Sequence, residues 1–453
     1  MDQFLGFFSL MFMSGILLFL GVSYMSGKRD LLLPSSFFLL GAANFVGLSG
    51  IQAGTAPNHM AVYTSEDYIL YFTGVITFFF TLGVAYVLMR RPARAMGHVM
   101  RKWPPGRPSV LLVVIGCTVA FSVGQLVFPP IPIIAQMVYW LGNRSAIFAL
   151  CLSVVAWYRQ KINPIFFMIV IGMFVFSLVL SIATGSVGRR NFLGVLMTVP
   201  ICSYWLYFRY KRPSTTLFAG GMAAVFLVTV LSAYSQIRFR DREREHDVEF
   251  AVESVQMLPE QVQAVDWNRA LIDIGQLTTE MSLLTINMHA GTSETRPFHS
   301  VIWLASNPIP RVFWPDKPEG LGRMLPRDYG KRSEILTWGP GIVGHGYFEG
   351  GVHMLVFYGI LAAAGLRFFD QLLLTQPDNP YVIAILVASA PHLVGWCRGD
   401  IAVFTMHIIF SFLAMAVLYV IASLLFGRAD RSVDSRKRPS RARTVPQLQH
   451  GRG

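Results

Sequence analysis

Two groups of residues in this sequence could do chemistry, and the first is the pair His345 and Glu349. They stand four residues apart in GPGIVGHGYFEGGVH, residues 339–353. If this stretch is helical, both side chains lie on the same side of the helix. An imidazole or a carboxylate at that place could act as a general base toward a hydroxyl group. The alternative, that either one is a hydrogen-bonded structural residue, stays open.

The second group consists of basic residues that could bind an anion: Arg189, Arg190, Arg311, Lys317 and Arg398. The arginine pair begins an apolar run, where the positive end of a helix dipole disfavours a cation and favours an anion. Arg311 and Lys317 lie in NPIPRVFWPDKPEG, whose prolines predict a stiff, extended segment. A guanidinium beside an ammonium suits a diphosphate. Interfacial cations also reach lipid phosphates without any substrate, and Asp400 could pair with Arg398 instead.

The elements that position these residues are membrane helices. Of the 453 residues, 53% are hydrophobic and 14% are charged, and the mean hydropathy is +0.50. A soluble chain carries about 25% charged residues. Apolar runs near the length that crosses a bilayer as a helix recur throughout. The composition therefore predicts an all-α polytopic membrane protein, and the net charge of +13 needs no partner beyond anionic lipid.

Eleven spans are predicted, at 4–25, 31–50, 68–89, 110–128, 133–157, 164–184, 192–208, 215–234, 347–366, 380–396 and 401–426. They divide the chain into eight N-terminal spans within 1–234, a long loop at 235–346, three further spans within 347–426, and a basic, disordered tail at 427–453. The first span lacks a preceding basic region and a cleavage site, so it is predicted to be retained.

The distribution of positive charge in short loops predicts the orientation. Basic connections such as GKRD at 27–30 and the arginine-rich loop at 90–109 alternate with connections like 51–67, which contains no Lys or Arg. The N-terminus is therefore predicted to lie outside and the C-terminus in the cytoplasm. All of the basic residues of the second group then lie on the outer side, where the orientation rule alone would not place them.

The long outer loop is predicted to contain three kinds of segment. QIRFRDREREHD continues the eighth span as a solvated helix, with Arg238 near Asp241 and Arg240 near Glu243. Apolar residues recur at helical spacing over 274–288, which predicts an amphipathic helix on the membrane surface or against the bundle. The third segment is the proline-rich stretch that carries Arg311 and Lys317.

The sequence lacks the motifs of nucleotide binding, dinucleotide cofactors and metal sites. The sequence has no P-loop, no glycine-rich dinucleotide fingerprint and no HExxH motif. Four cysteines stand singly in or beside apolar runs, without the spacing of a disulfide framework or a zinc site, and are predicted to be packing residues. Glu66 and Asp67 in the first outer loop are predicted to be solvated.

Taken together, these motifs resemble the bacterial O-antigen polymerases, the Wzy-type oligosaccharide repeat-unit polymerases. The resemblance lies in the arginine pair at a helix start, in IPRVFWPDKP at the end of a large late loop, and in GHGYFEGG before a span. It covers about residues 180–426, and the residues before it match only in being spans. The related O-antigen ligases share this layout.

The resemblance implies an inverting, metal-independent and cofactor-free glycosyl transfer on the outer face of the bacterial cytoplasmic (inner) membrane, in lipopolysaccharide or exopolysaccharide synthesis. A glycan held on undecaprenyl diphosphate would move to a hydroxyl group of a second lipid-linked repeat unit. The five basic residues would bind the diphosphate, and His345 would be the base, with Glu349 as second candidate. Undecaprenyl-diphosphate-linked oligosaccharides, membrane lipids, a chain-length regulator and a flippase are the implied partners, and nucleic acid is not.

Three alternatives remain from the sequence. An O-antigen ligase would differ only in its acceptor. A lipid-glycan transporter would also use outer cations, although the two halves of the chain show no internal repeat of the kind found in many transporters. A structural membrane protein would not need a stiff loop that carries cations.

Overall fold

The computed structural model describes residues 1–55, 61–100, 108–127, 132–160, 163–183, 189–240, 248–291, 295–330 and 337–426. These residues form α-helices and contain no strand. The helices are α1 Asp2–Met25, α2 Pro34–Ala42, α3 Ser49–Thr55, α4 Ser65–Leu88, α5 Arg90–Met100, α6 Pro108–Val127, α7 Pro132–Arg159, α8 Pro164–Ala183, α9 Arg189–Leu206, α10 Pro213–Arg240, α11 Val248–Gln263, α12 Trp267–Gly275, α13 Thr278–His289, α14 His299–Ser306, α15 Leu321–Asp328, α16 Gly341–Glu349, α17 Val352–Thr375, α18 Pro380–Gly395 and α19 Ile401–Phe426. A π-helical segment, Ala43–Leu48, joins α2 to α3.

Within the described ranges, nine helical stretches are long and apolar enough to cross a membrane. They are α1, the continuous stretch Pro34–Thr55, α4, α8, α9 with the 3₁₀ turn Phe208–Tyr210, α10, α17, α18 with the 3₁₀ turn Trp396–Arg398, and α19. The predicted class of polytopic all-α membrane protein is therefore confirmed. The two remaining predicted spans, 110–128 and 133–157, coincide with α6 and α7, and the total of eleven stays a prediction.

Local sequence signals explain where several of these helices begin. Pro34 and Pro380 are the first residues of α2 and α18, where the missing N–H costs nothing. Thr64 and Asp67 form a capping box at the start of α4. Asp67 is also buried and accepts a hydrogen bond from Asn287 Nδ2 at 3.1 Å. It is thus a structural carboxylate, which corrects the predicted solvent-facing role, whereas Glu66 is exposed as predicted.

The central helix of the bundle is α18. Its spanning window is 94% buried, whereas that of α10 is 17% buried. It packs on α2, α7, α9 and α19, so it has almost no surface left for lipid. The short turn that follows it, from Trp396 to Asp400, lies at one end of the bundle, with Trp396, Cys397 and Gly399 buried and Arg398 and Asp400 half-buried.

The predicted ninth span at 347–366 begins too early. Residues 341–349 form the separate helix α16, and the membrane-length helix α17 starts only at Val352. Gly350 and Gly351 separate the two helices with φ of +149° and +73°, angles that residues with a Cβ rarely adopt. His345 and Glu349 therefore lie on a short, fully buried helix that precedes the span.

The predicted amphipathic helix at 274–288 is interrupted. Gln276 and Leu277 have φ of +55° and +51°, which ends α12 and starts α13 in a new direction. The part of α13 from Thr278 to Ile286 is buried. The helix was predicted to lie on the membrane surface or against the bundle, and α13 lies against the bundle. Its close partner is α16, because a Cβ on Gly344 would lie 3.0 Å from Ser282 Cα.

The proline-rich segment is not extended, which corrects the prediction. It folds into consecutive tight turns, in which the N–H groups of Ile309, Phe313 and Lys317 donate to the carbonyls of Ser306, Pro310 and Trp314 at 2.9, 3.0 and 3.3 Å. Proline presets the backbone for such turns as well as for extended chain. The sequence signal was therefore ambiguous, and contacts within the segment decided the conformation.

Two further predictions concern charge pairs and cysteines. The pairs Arg238–Asp241 and Arg240–Glu243 lie outside the described residues and side chains.

All four cysteines are free, but α7 and α9 bring Cys151 Sγ within 3.4 Å of Cys202 Sγ. The sequence could not indicate this proximity, because the two thiols are 51 residues apart.

The predicted orientation can be tested with reporter fusions at about residues 260 and 440. Because positive loops are retained in the cytoplasm, we expect the fusion in the long loop to report the outer side and the fusion in the tail to report the cytoplasm. Signals from the same compartment would contradict the predicted orientation. A fusion near residue 28, in the basic α1–α2 loop, serves as the cytoplasmic control.

Candidate functional site

His345 and Glu349 meet two further side chains in a buried cluster, Ser300 from α14 and Tyr358 from α17. Ser300 Oγ lies 2.7 Å from His345 Nε2, and His345 Nε2 lies 3.1 Å from Glu349 Oε1. The N–H of Ser300 donates to Glu349 Oε1 at 2.9 Å, and the Tyr358 hydroxyl donates to Glu349 Oε2 at 2.6 Å. The predicted i,i+4 geometry on one helix is confirmed, and three helices supply the cluster.

Glu349 is held as a carboxylate by these donors. Burial opposes its ionisation, but the hydrogen bond and charge interaction with His345 and the hydrogen bonds from Ser300 and Tyr358 outweigh burial and leave its pKa below the ordinary value. A carboxylate whose charge is stabilised in this way is a weak proton acceptor. Its donor from Ser300 is a backbone N–H in the first turn of α14, so Glu349 also fixes where that helix begins.

One ring nitrogen of His345, Nε2, contacts both Ser300 and Glu349. Ser300 and Glu349 both approach Nε2, while Nδ1 is buried and has no hydrogen-bond partner among the described residues. A relay of the serine–histidine–carboxylate type needs the two partners on different nitrogens, so this cluster does not form one. The imidazole has no exposed surface, and a substrate hydroxyl would reach it only through an opening between the helices around it.

Arg398 lies directly against the chain segment that starts α16. A Cβ on Gly339 would lie 2.7 Å from Arg398 Cγ, and a Cβ on Gly399 would lie 2.8 Å from the Gly341 nitrogen. Such an approach is possible only because these residues are glycines. His345 follows Gly341 by one helical turn, about 6 Å of rise. The α18–α19 turn and the His345 cluster are therefore neighbouring parts of the protein.

Asp400, in the turn between α18 and α19, contacts the long loop at the start of α15. Its Oδ2 accepts a hydrogen bond from the Gly322 N–H at 3.2 Å, at the start of α15. Its carbonyl accepts from the N–H groups of Val403 and Phe404 in the first turn of α19. This carboxylate thus ties the end of the proline-rich region to the turn that carries Arg398.

The predicted arginine pair begins α9. The guanidinium of Arg190 stacks on Phe404 of α19, 4.1 Å from the ring centroid, which puts it next to the first turn of α19. Only the backbone of Arg189 is described, and its side chain lies outside the described part. The structure therefore brings Arg190 and Arg398 to the same end of the bundle.

Arg144 is the candidate that the sequence analysis missed. It is 1% exposed in the middle of α7. Its Nη1 donates to His392 Nε2 at 2.9 Å and to Asn191 Oδ1 at 3.4 Å, and its Nη2 donates to His407 Nδ1. An arginine side chain has no acceptor atom, so both imidazole nitrogens must accept, which requires the neutral form of each ring at the contacted nitrogen.

Arg190 belongs to the same cluster as Arg144. It is an electrostatic neighbour of both His392 and His407, whose rings stack with centroids 4.2 Å apart. A signal for this cluster was available, because Arg144 is the sole charged residue within the predicted span 133–157. An ionisable residue inside a span is a functional-site candidate by default.

Lys317 and Arg311 contact the carbonyls of their own segment. Lys317 is 8% exposed, and its ammonium donates to the carbonyls of Asn307 at 3.1 Å and Ile309 at 2.8 Å. Burial lowers the pKa of Lys317, and the nearby Arg311 guanidinium lowers it further. Arg311 is exposed and donates to the Pro315 carbonyl at 2.9 Å. Both residues hold the turns together, and their predicted role toward a diphosphate stays a prediction.

Among the described residues, no group of three or more His, Cys, Asp or Glu side chains is placed to hold a metal ion. What the site offers instead is guanidinium groups, a buried imidazole and an oriented serine hydroxyl. Comparison of the chain with models of protein families, with curated proteins and with solved structures found no match.

Proposed function

We propose that this protein polymerises oligosaccharide repeat units linked to a polyprenyl diphosphate, by inverting glycosyl transfer on the outer face of a bacterial cytoplasmic membrane. The observation that carries the proposal is the convergence of Arg190, Arg398 and the His345 cluster around the α18–α19 turn. A transferase of this kind needs cations for its leaving group and a base for its acceptor, in one place.

The cations act on the leaving group. When the bond between the anomeric carbon and the phosphate oxygen breaks, negative charge develops on the departing polyprenyl diphosphate. Guanidinium groups fixed near that oxygen stabilise the transition state more than the ground state. Arg190 and Arg398 supply such groups, and Arg144 adds a third guanidinium deeper in the same cluster as Arg190.

The imidazole acts on the acceptor. As the acceptor hydroxyl attacks the anomeric carbon, a glycosidic C–O bond forms and the hydroxyl proton passes to Nδ1 of His345, because Nε2 already contacts Glu349 and Ser300. Glu349 is the second candidate for this role, but its three donors and lowered pKa make it the weaker acceptor. Glu349 and Ser300 instead orient the imidazole ring. Arg189, Arg311 and Lys317 complete the proposed diphosphate-binding set.

The test is a reconstitution of the purified chain with one lipid-linked repeat unit as both donor and acceptor. We expect lipid-linked dimers and longer glycans, with one polyprenyl diphosphate released for each bond formed. Products that require a non-repeat acceptor would identify a ligase. Movement of the intact lipid-linked unit across vesicles without any new glycosidic bond would identify a transporter, and either result would overturn the proposal.

A further inference from the structure

A second basic site lies at the other end of the bundle, far along α18 from the Arg398 turn. There a cleft of about 750 Å³ opens between the end of α1, the α1–α2 loop, the turn before α10 and the second half of α17. Five basic residues line it, namely Lys28, Arg29, Arg209, Lys211 and Arg367, together with the carboxylate of Asp30. Neither the candidate site nor the proposed glycosyl transfer uses any of them.

Two of these arginines are fixed in position. Arg209 grips Asp30 with two hydrogen bonds, Nε to Oδ1 at 2.8 Å and Nη2 to Oδ2 at 2.9 Å. Arg367 donates from Nη1 to the Tyr86 hydroxyl at 3.2 Å and stacks on that ring at 4.9 Å. Its Nε is buried without an acceptor among the described residues, so its charge is oriented by an aromatic ring rather than by a carboxylate.

The remaining cations leave the cleft strongly positive. Lys28 and Lys211 are exposed, and Arg29 donates to the Ser36 hydroxyl at 3.3 Å. Two carboxylates lie behind the cleft wall: Asp370 accepts from the Ser35 N–H at 3.0 Å, and Asp378 accepts from the Tyr210 hydroxyl at 3.3 Å. Counting both with Asp30, five basic groups face three carboxylates, an excess of two positive charges. Such an excess in a half-enclosed site attracts an anion.

The cleft also has an apolar side. Phe19 and Leu374 line it and are 51% and 39% exposed. They lie near the ends of the membrane-length helices α1 and α17, where an exposed apolar side chain is suited to contact with a lipid chain. A free phosphate would make no use of that surface, whereas a molecule with both a phosphate group and an acyl chain would contact both sides.

We infer that this cleft binds the phosphodiester headgroup of an anionic phospholipid, with an acyl chain along Phe19 and Leu374. The ammonium groups of Lys28 and Lys211 are exposed, and lysines at a membrane surface are attracted to anionic lipid. The guanidinium groups of Arg29 and Arg367 add positive charge to the same cleft. The site is independent of the proposed glycosyl transfer, because it lies at the opposite end of α18 and shares no residue with it.

The experiment measures lipid binding to the full chain purified in detergent, by native mass spectrometry with phosphatidylglycerol and with phosphatidylcholine. We expect retention of phosphatidylglycerol in preference to phosphatidylcholine. The double variant K28Q/K211Q should weaken phosphatidylglycerol binding by about tenfold, because two surface charges near the headgroup are lost. Both lysines are exposed, so the variant should fold normally.

The matched control is R91Q/R94Q, which removes two exposed charges from α5 outside the cleft and should leave phosphatidylglycerol binding unchanged. An equal loss of phosphatidylglycerol binding in this control would show that the lipid is held by general surface charge and not by the cleft, and it would overturn the inference. Equal binding of the two lipids would also overturn it. Competition by soluble glycerol phosphate at the same concentration as the lipid would show that the site takes free phosphate and not a lipid.

Discussion

The variant H345Q should polymerise lipid-linked repeat units about 10²–10⁴-fold more slowly than the wild type, the usual cost of losing a general base. Glutamine can still donate to Glu349 and Ser300 but cannot accept a proton at neutral pH. Donor binding should be largely kept, because the proposed diphosphate-binding arginines are unchanged. The rate should therefore fall while the substrate concentration for half-maximal rate stays close to the wild-type value.

A matched control separates a catalytic role from a general loss of function. The imidazole of His345 is the proposed proton acceptor, so its loss should lower the rate and not donor binding. H353Q is the control, because His353 is exposed at the start of α17, and it should keep the wild-type rate. An H345Q variant with the full rate would make His345 structural and Glu349 the base to examine.

Replacement of Arg190 by alanine should have the second large effect, a loss of polymer with normal expression. A charge-assisted hydrogen bond is worth about 1.5–3 kcal/mol, which corresponds to about 10–100-fold in rate if it is made in the transition state. Arg190 is also an electrostatic neighbour of His392 and His407, so its removal changes the charge around these two rings as well. R311A should reduce polymer as well if Arg311 reaches the diphosphate.

Conservative variants sharpen this test. R190K keeps the charge but loses the planar fork that grips two oxygens and stacks on Phe404, so we expect partial activity. R94A, which removes an exposed arginine from α5, should be nearly silent. Polymer of normal amount and chain length in R190A would contradict the role of Arg190 at the diphosphate.

Much of the fold could be predicted from the sequence, because the signals are local. A membrane span is defined by about 20 consecutive apolar residues, and the described helices match the predicted runs closely, for example at Pro164–Ala183 and Ile401–Phe426. Proline at the first position of a helix is also a local signal, and it marks the helix start at Pro34 and Pro380. The pairing of His345 with Glu349 was also predictable, since it depends only on the helical repeat over four residues.

The predictions from sequence were wrong where the backbone changes direction within a segment. The break at Gly350 and Gly351 moves the start of the ninth predicted span from 347 to 352. A hydropathy average does not show this break, because apolar residues such as Phe348 and Met354 stand on both sides of it. The turns of the segment around Lys317 depend on an ammonium that reaches carbonyls eight and ten residues earlier.

What the tertiary structure alone decided is which polar side chains meet. Ser300 and His345 are 45 residues apart, and Arg144 is 248 and 263 residues from His392 and His407. No periodicity in the sequence encodes such contacts, because they arise where helices that are distant in the sequence pack against each other. The sequence by itself determined that this is a bundle of membrane helices, and it singled out His345, Glu349 and several basic residues as candidates. The packing decided that the imidazole contacts Glu349 and Ser300. It also decided that Arg144, which the sequence places inside a span, meets His392 and His407, since buried polar groups must find partners wherever the bundle places them.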